Sequence, residues 1–221
     1  MDKKRILAAV DHTLLNVDAT WEQVKTLCDE AVRYQVATVC LPPAYAAEAV
    51  DYLEGKLPVC VVVGFPNGYS TRAAKVFEAR EAIDNGAAEI DMVINVGFLK
   101  SGRYDAVLRE IRAVKDLCNE HILKVIVECC LLTEQEKIKM CELVTESGAD
   151  YIKTSTGFSK GGATRDDVAL LARHVGAGVK IKAAGGIRTL QDAREYLKLG
   201  ASRLGASSLV ELVKKEEAAS S

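Results

Sequence analysis

Several features that would direct a functional reading elsewhere are missing from this 221-residue chain. Neither sign of charge dominates: 29 lysines and arginines face 31 aspartates and glutamates, a net charge of −2. No broad basic surface is therefore expected for nucleic acid or an anionic membrane, and any anion must be held by a local site. No apolar stretch of signal length opens the chain and none would span a bilayer, so a cytoplasmic protein without membrane association is expected. The seven cysteines (Cys28, Cys40, Cys60, Cys118, Cys129, Cys130, Cys141) include no C-x-x-C pair, and their odd number points to reduced, mostly buried thiols. His12, His121 and His174 have no zinc-ligand spacing, and there is neither a dinucleotide-binding glycine fingerprint nor a P-loop. No metal and no cofactor is expected. No internal repeat or linker divides the chain.

What is present is regular. A hydrophobic share of 49% and a charged share of 27% suit a globule with a large core, and the length lies within reach of one α/β barrel. One domain over 1–221 is expected, with a frayed polar end near 214–221. Strand-like apolar runs recur at 5–10, 37–41, 59–63, 89–94, 123–128, 151–154, 179–183 and 203–205. Their near-continuous Val/Ile/Cys content marks strands covered on both faces, and strict alternation of strand with helix predicts a (β/α)8 barrel. Helix signals fill the gaps. Thr133-x-x-Glu136, Thr164-x-x-Asp167 and Thr189-x-x-Asp192 read as capping boxes, and Gly86, Gly148, Gly176 and Gly200 stand where helices should stop. Helical spacing places Trp21, Val24, Leu27, Cys28 and Ala31 on one buried face, and Leu108, Ile111, Val114 and Cys118 on another.

In such a barrel, chemistry belongs at the C-terminal strand ends and the loops that follow. Lys153, in Tyr151-Ile152-Lys153-Thr154-Ser155-Thr156-Gly157, and Lys182, in Val179-Lys180-Ile181-Lys182-Ala183-Ala184-Gly185-Gly186, would enter one pocket side by side. A buried lysine is costly to keep charged, and a second cation nearby eases loss of its proton, leaving an amine able to attack a carbonyl. The alternative for Lys153 is a structural ion-pair network; Lys180, nearer the opposite face, reads as a solvated or structural lysine. Asp91 lies inside the apolar run Ile90-Asp91-Met92-Val93-Ile94, where a carboxylate needs cationic partners that the two lysines would supply. A lone hydrogen-bonded aspartate is its alternative. Asp11, just after the first strand, serves either that pocket or a turn cap. Gly185-Gly186-Ile187-Arg188 and Gly205-Ala206-Ser207-Ser208, the latter leading into an apolar segment at 209–213, offer backbone N–H groups to an anion such as phosphate. Tight turns without ligand would use the same residues. His12 could touch the pocket, although a structural hydrogen bond explains it equally simply.

These residues together resemble the deoxyribose-phosphate aldolase family of lysine-dependent barrel enzymes, and the resemblance spans nearly the whole chain. Its carriers are Asp11-His12-Thr13-Leu14-Leu15, Glu89-Ile90-Asp91-Met92-Val93-Ile94-Asn95-Val96-Gly97, Lys124-Val125-Ile126-Val127-Glu128, Tyr151 to Phe158, Lys182 to Arg188 and Arg203-Leu204-Gly205-Ala206-Ser207-Ser208. The resemblance implies that Lys153 is the Schiff-base lysine, Lys182 the lysine that perturbs it, and Asp91 the acid/base partner. It implies supporting roles for Asp11 and Thr13, and phosphate binding by Gly157, Gly185, Gly186, Gly205, Ser207 and Ser208. The reaction implied is reversible cleavage of 2-deoxy-D-ribose 5-phosphate to acetaldehyde and D-glyceraldehyde 3-phosphate. The implied partners are a small phosphorylated sugar and an aldehyde, and the implied state is a homo-oligomer, dimer or tetramer. Another lysine aldolase of phosphorylated sugars, or a non-catalytic sugar-phosphate-binding barrel, would share parts of this pattern. One departure stands out: some members of the family end in a tyrosine that reaches the active site, whereas this chain ends Glu216-Glu217-Ala218-Ala219-Ser220-Ser221.

Overall fold

A computed structural model of the protein describes residues 2–218. Eight parallel strands close into a barrel in chain order, with β8 returning to pair with β1. The strands are β1 (Val10–Thr13), β2 (Thr38–Leu41), β3 (Val59–Val63), β4 (Glu89–Val93), β5 (Ile122–Ile126), β6 (Tyr151–Lys153), β7 (Lys180–Ala184) and β8 (Ala201–Ala206). Around them run α1 (Lys3–Leu7), α2 (Trp21–Tyr34), α3 (Ala46–Leu53), α4 (Arg72–Asp84), α5 (Val96–Lys100), α6 (Tyr104–Cys118), α7 (Glu134–Ser147), α8 (Arg165–His174), α9 (Leu190–Lys198) and α10 (Leu209–Ala218). This is the (β/α)8 barrel that the alternation of runs predicts.

Two ends of the chain depart from expectation. Residues 3–7 are helical, and the first strand begins only at Val10. Asp2 caps α1 by accepting from the Arg5 amide at 2.8 Å, and Ile6 and Leu7 are buried. A short apolar run fixes burial but not period, so the run at 5–10 reads equally as strand or helix. Consequently Asp11 lies within β1, not after it. At the other end, 214–218 continue α10 instead of fraying. Val210 and Val213 are buried, Lys214 donates to Glu30 at 2.6 Å, and Tyr34 donates to Glu217 at 2.9 Å. Residues 219–221 lie outside the described residues.

Helix starts follow the sequence signals. Thr133 with Glu136 forms a full capping box, as does Thr20 with Gln23, while Thr164 and Thr189 accept from the amides of Asp167 and Asp192. The outward strand faces and the inward helix faces form the large apolar core, including Val24, Leu27, Cys28 and Ala31 of α2 and Leu108, Ile111, Val114 and Cys118 of α6. A separate small cluster, Leu15, Cys40, Cys60 and Val62, packs apart from it. The seven cysteines are free thiols, six of them buried. Among the described residues no helix is long and apolar enough to cross a membrane.

Candidate active site

Strand alternation sends every second side chain toward the barrel axis. Here much of the interior is ionic, where aliphatic layers would be usual. Six side chains from five strands form a closed ring of alternating sign. Asp11 pairs with Arg203; Arg203 Nη2 meets Glu89 Oε1 at 2.5 Å; Glu89 Oε2 meets Lys124 Nζ at 2.5 Å. Lys124 Nζ then meets Asp91 Oδ1 at 2.8 Å, Asp91 Oδ2 meets Lys182 Nζ at 2.7 Å, and Lys182 pairs with Asp11. Lys153, on β6, joins from outside this ring, its Nζ donating to Asp91 Oδ2 at 2.6 Å. Register brings it there, because Lys153 is the direct neighbour of Lys182 and Ile126 on the flanking strands.

Burying so much charge is tolerable only when each group is paired. Burial alone would raise the Asp91 carboxyl, but Lys124, Lys153 and Lys182 hold it well below the usual carboxylate range. Asp11 is lowered in the same way, with Lys182, Lys124 and Arg203 overcoming burial. Burial would likewise strip the proton from Lys182, yet Asp11 and Asp91 raise its affinity above that of an ordinary lysine. Lys124 is likewise raised against burial, chiefly by Asp91. Three carboxylates thus alternate with three cations around the ring, and their formal charges sum to zero.

Above the ring a cavity of about 620 Å3 opens at the C-terminal strand ends. Lys153 is the one member of the ionic cluster that lines it; Asp11, Glu89, Asp91, Lys124, Lys182 and Arg203 lie beneath. Thr13 lines it too, anchored by donation from its hydroxyl to the Asp11 carbonyl at 2.8 Å. Gly157, Gly185, Gly186, Gly205, Ser207 and Ser208 all meet the cavity, as does the exposed Arg188. Gly185 has φ +81° and packs so closely that a Cβ would stand 3.0 Å from the Gly162 Cα, so a side chain is excluded on both counts. Ser208 donates to the Ile187 carbonyl at 3.1 Å, tying the β8 loop to the β7 loop. Ser207 and Ser208 immediately precede α10, which begins just after the C-terminal end of β8. Phe158 stands at the cavity edge, edge-on to Phe65 with ring centroids 5.3 Å apart.

The expected site residues therefore converge, and the structure adds others. Lys124, Glu89 and Arg203 complete the ring without having been singled out, although Lys124 and Glu89 carry the signal that marked Asp91, an ionisable residue inside an apolar strand. Glu128 is a further addition. It adopts a left-handed backbone (φ 57°), is buried, and accepts from the Thr156 amide at 3.3 Å and the Thr156 hydroxyl at 2.5 Å. Thr156 in turn accepts from the Phe158 amide at 3.0 Å, so Glu128 braces the wall that carries Gly157. His12 points away from the cavity and bonds Glu30 at 3.0 Å, which is the structural alternative. Lys180 is exposed, as expected.

Among the described residues, two groups of donor atoms lie close together, Cys40, Cys60 and Asp91, and Asp11, Cys60 and Glu89. Both draw on carboxylates already paired with ring cations, and Lys124 Nζ stands 3.3 Å from Cys60 Sγ. Lys124 Nζ also donates to Asp91 Oδ1 at 2.8 Å, so two of these donor atoms already have a cationic partner.

Residues 5–215 match the family model for DeoC/LacD family aldolases. The chain belongs to this family. It is 57% identical over 216 residues to deoxyribose-phosphate aldolase of Streptococcus pyogenes serotype M28, an alignment covering 98% of this chain and 97% of that one. Among solved structures, deoxyribose phosphate aldolase from Aeropyrum pernix superposes with a TM-score of 0.91 at 31% identity, covering 98% of this chain and 92% of that one; that protein is described as a tetramer. The aldolase QR15 superposes with a TM-score of 0.91 at 34% identity, covering 96% and 97% of the two chains. Membership makes this chain an aldolase.

Proposed function

We propose that this aldolase reversibly cleaves 2-deoxy-D-ribose 5-phosphate to acetaldehyde and D-glyceraldehyde 3-phosphate, with Lys153 as the Schiff-base nucleophile. The observation that carries the assignment to Lys153 is its position. It is the member of the buried ionic cluster that lines the cavity, and the other six balance their charges without it. Loss of its proton leaves the ring's own charges balanced, and only an uncharged amine attacks a carbonyl.

The steps follow from that placement. Lys153 Nζ adds to the open-chain aldehyde at C1, and loss of water gives an iminium. The C2–C3 bond breaks with its electron pair drawn toward the iminium, forming an enamine, while the C3 hydroxyl loses its proton and glyceraldehyde 3-phosphate departs. Protonation of the enamine at C2 and hydrolysis then free acetaldehyde and the amine. Asp91 and Lys182 lie beneath the cavity, so they take up and return the proton through a water molecule. Asp91 is held ionised by three lysines and is a weak base by itself; acting with Lys182 it forms a proton-transfer pair. The phosphate is assigned to Gly157, Gly185, Gly186, Gly205, Ser207 and Ser208, where backbone N–H groups and the start of α10 favour an anion. Asp11 and Thr13 support the arrangement, the first holding Lys182. The iminium is the electron sink, so the chemistry needs no metal ion.

We also place the protein in the cytoplasm as a homo-oligomer, in line with the tetrameric relative. The end of α10 is tied to Tyr34, at the N-terminal face of the barrel opposite Lys153. The direct test is turnover of 2-deoxyribose 5-phosphate, followed by trapping of both aldehyde products, with and without exhaustive chelation. Equal turnover in both arms is expected. Cleavage of other phosphorylated sugars in preference would move the reading to another lysine aldolase, and loss restored by zinc would overturn the lysine mechanism.

A further inference from the structure

The ionic ring beneath the cavity has two sides. On one, Asp91 and Lys182 touch Lys153 or its partner oxygen; on the other, Arg203 and Glu89 are remote from the cavity and line none of it. Arg203 lies on β8 with its side chain 12% exposed, its two nitrogens divided between Asp11 and Glu89, and its guanidinium 6.0 Å from the Tyr151 ring centroid. A β-bulge sets this placement. The β7–β8 register runs from Ile181↔Ala201 to Lys182↔Arg203, passing over Ser202, so that Arg203 falls beside Lys182. Such a bulge, and a forked arginine joining two carboxylates, are unneeded if β8 served only to close the barrel.

We propose that Arg203 and Glu89 are positioning residues that set the charge of the ring, and through it the pH at which Lys153 becomes a free nucleophile. The inference rests on Lys153 being the Schiff-base lysine. Three carboxylates (Asp11, Glu89, Asp91) and three cations (Lys124, Lys182, Arg203) cancel in the native ring. Facing Lys153 from the packed strands are Asp91 of β4, Lys182 of β7 and Cys40 of β2, with Lys124 of β5 and Asp11 of β1 one contact further away. Removing Arg203 leaves one surplus negative charge, which favours an ammonium at Lys153. Removing Glu89 leaves one surplus positive charge, which favours the amine. A buried pair that merely stabilised the barrel would not give shifts of opposite sign.

The test is the acid limb of kcat/KM for unphosphorylated 2-deoxyribose, chosen because it carries no phosphate titrating near pH ~6. Arg203→Met is expected to move the limb up by about one pH unit and Glu89→Gln to move it down by a similar amount. Arg203→Lys, which keeps the charge, and the double variant Arg203→Met with Glu89→Gln, which restores balance, should both return close to the native limb. Should Arg203→Met fail to fold, Glu89→Gln and the double variant still give the comparison. Unmoved limbs, or shifts of one sign, overturn the inference. Borohydride trapping with acetaldehyde on each variant keeps the two claims apart. An adduct at Lys153 with unmoved limbs sinks this inference alone, whereas an adduct elsewhere in the native enzyme removes its premise as well.

Discussion

Lys153 and Lys182 donate to the same oxygen of Asp91, Oδ2, at 2.6 and 2.7 Å. Two ammonium groups sharing one acceptor so closely repel each other, and only one of them has a second carboxylate, Asp11, to hold its proton. The pair is asymmetric in access as well, since Lys153 lines the cavity and Lys182 is fully buried. The division of labour proposed above, with Lys182 as the charged partner and Lys153 as the nucleophile, follows this asymmetry.

Replacing Lys182 with leucine should therefore do two things. Turnover should fall by ~100-fold or more through loss of the proton-transfer partner, and the residual activity should shift to higher pH, because Asp91 then faces Lys153 with one cation fewer. A pH–rate profile of Lys182→Leu checks both. A collapse with an unchanged profile would assign Lys182 to proton transfer alone.

Gly205 bears on the same lysine from β8. A Cβ there would stand 2.9 Å from the Ala184 Cβ and 3.2 Å from the Lys182 Cε. Gly205→Ala should cost about 1–3 kcal/mol of stability by overpacking, and should lower kcat proportionally more than it raises KM, since it displaces Lys182. Denaturant unfolding and steady-state kinetics on one preparation test this. Native kcat in a destabilised variant would show that Lys182 tolerates the shift.

The barrel and the convergence of Lys153, Lys182 and Asp91 were legible because both depend on local pattern: apolar runs of strand length, and ionisable residues inside them. What escaped depends on register. Arg203 faces the ring only because of the bulge at Ser202, which no single-strand pattern reveals. Lys124 is paired with Asp91 across neighbouring strands, so its role emerges from β4–β5 alignment. The segment 3–7 forms a helical turn in which Ile6 and Leu7 are buried, and burial alone does not report period. Glu128 closes a strand-end motif visible in the sequence, but its bracing role is not, since its left-handed backbone is a property of the fold around Thr156.

The loops after β7 and β8 should distinguish phosphorylated from plain substrate. Ser207→Glu places a carboxylate where the phosphate is assigned, and should raise KM for 2-deoxyribose 5-phosphate by ~100-fold while leaving kcat/KM for 2-deoxyribose within a factor of about three. Parallel kinetics on the two sugars decide this. Equal losses on both would make the loop a support for the barrel.

Acid should unfold the protein through the same ring. Asp91 and Asp11 have folded affinities for protons below their unfolded ones, so the stability they contribute is complete above about pH 4 and is lost as pH falls through the folded values. Asp91→Asn should flatten that acid dependence and, by leaving Lys124, Lys153 and Lys182 undercompensated, lower stability at pH 7 by about 3–5 kcal/mol. Urea unfolding across pH 3–7 follows both effects. Unchanged acid sensitivity in Asp91→Asn would place the responsible carboxylates elsewhere.

The central claim is that one lysine, Lys153, forms the covalent bond to substrate. Acetaldehyde followed by borohydride should leave a single ethyl group, which peptide mass spectrometry should locate on Lys153 of the native chain, with no adduct in Lys153→Met. An ethyl group mapped to Lys182 or Lys124, or persistence of the adduct in Lys153→Met, would contradict the account.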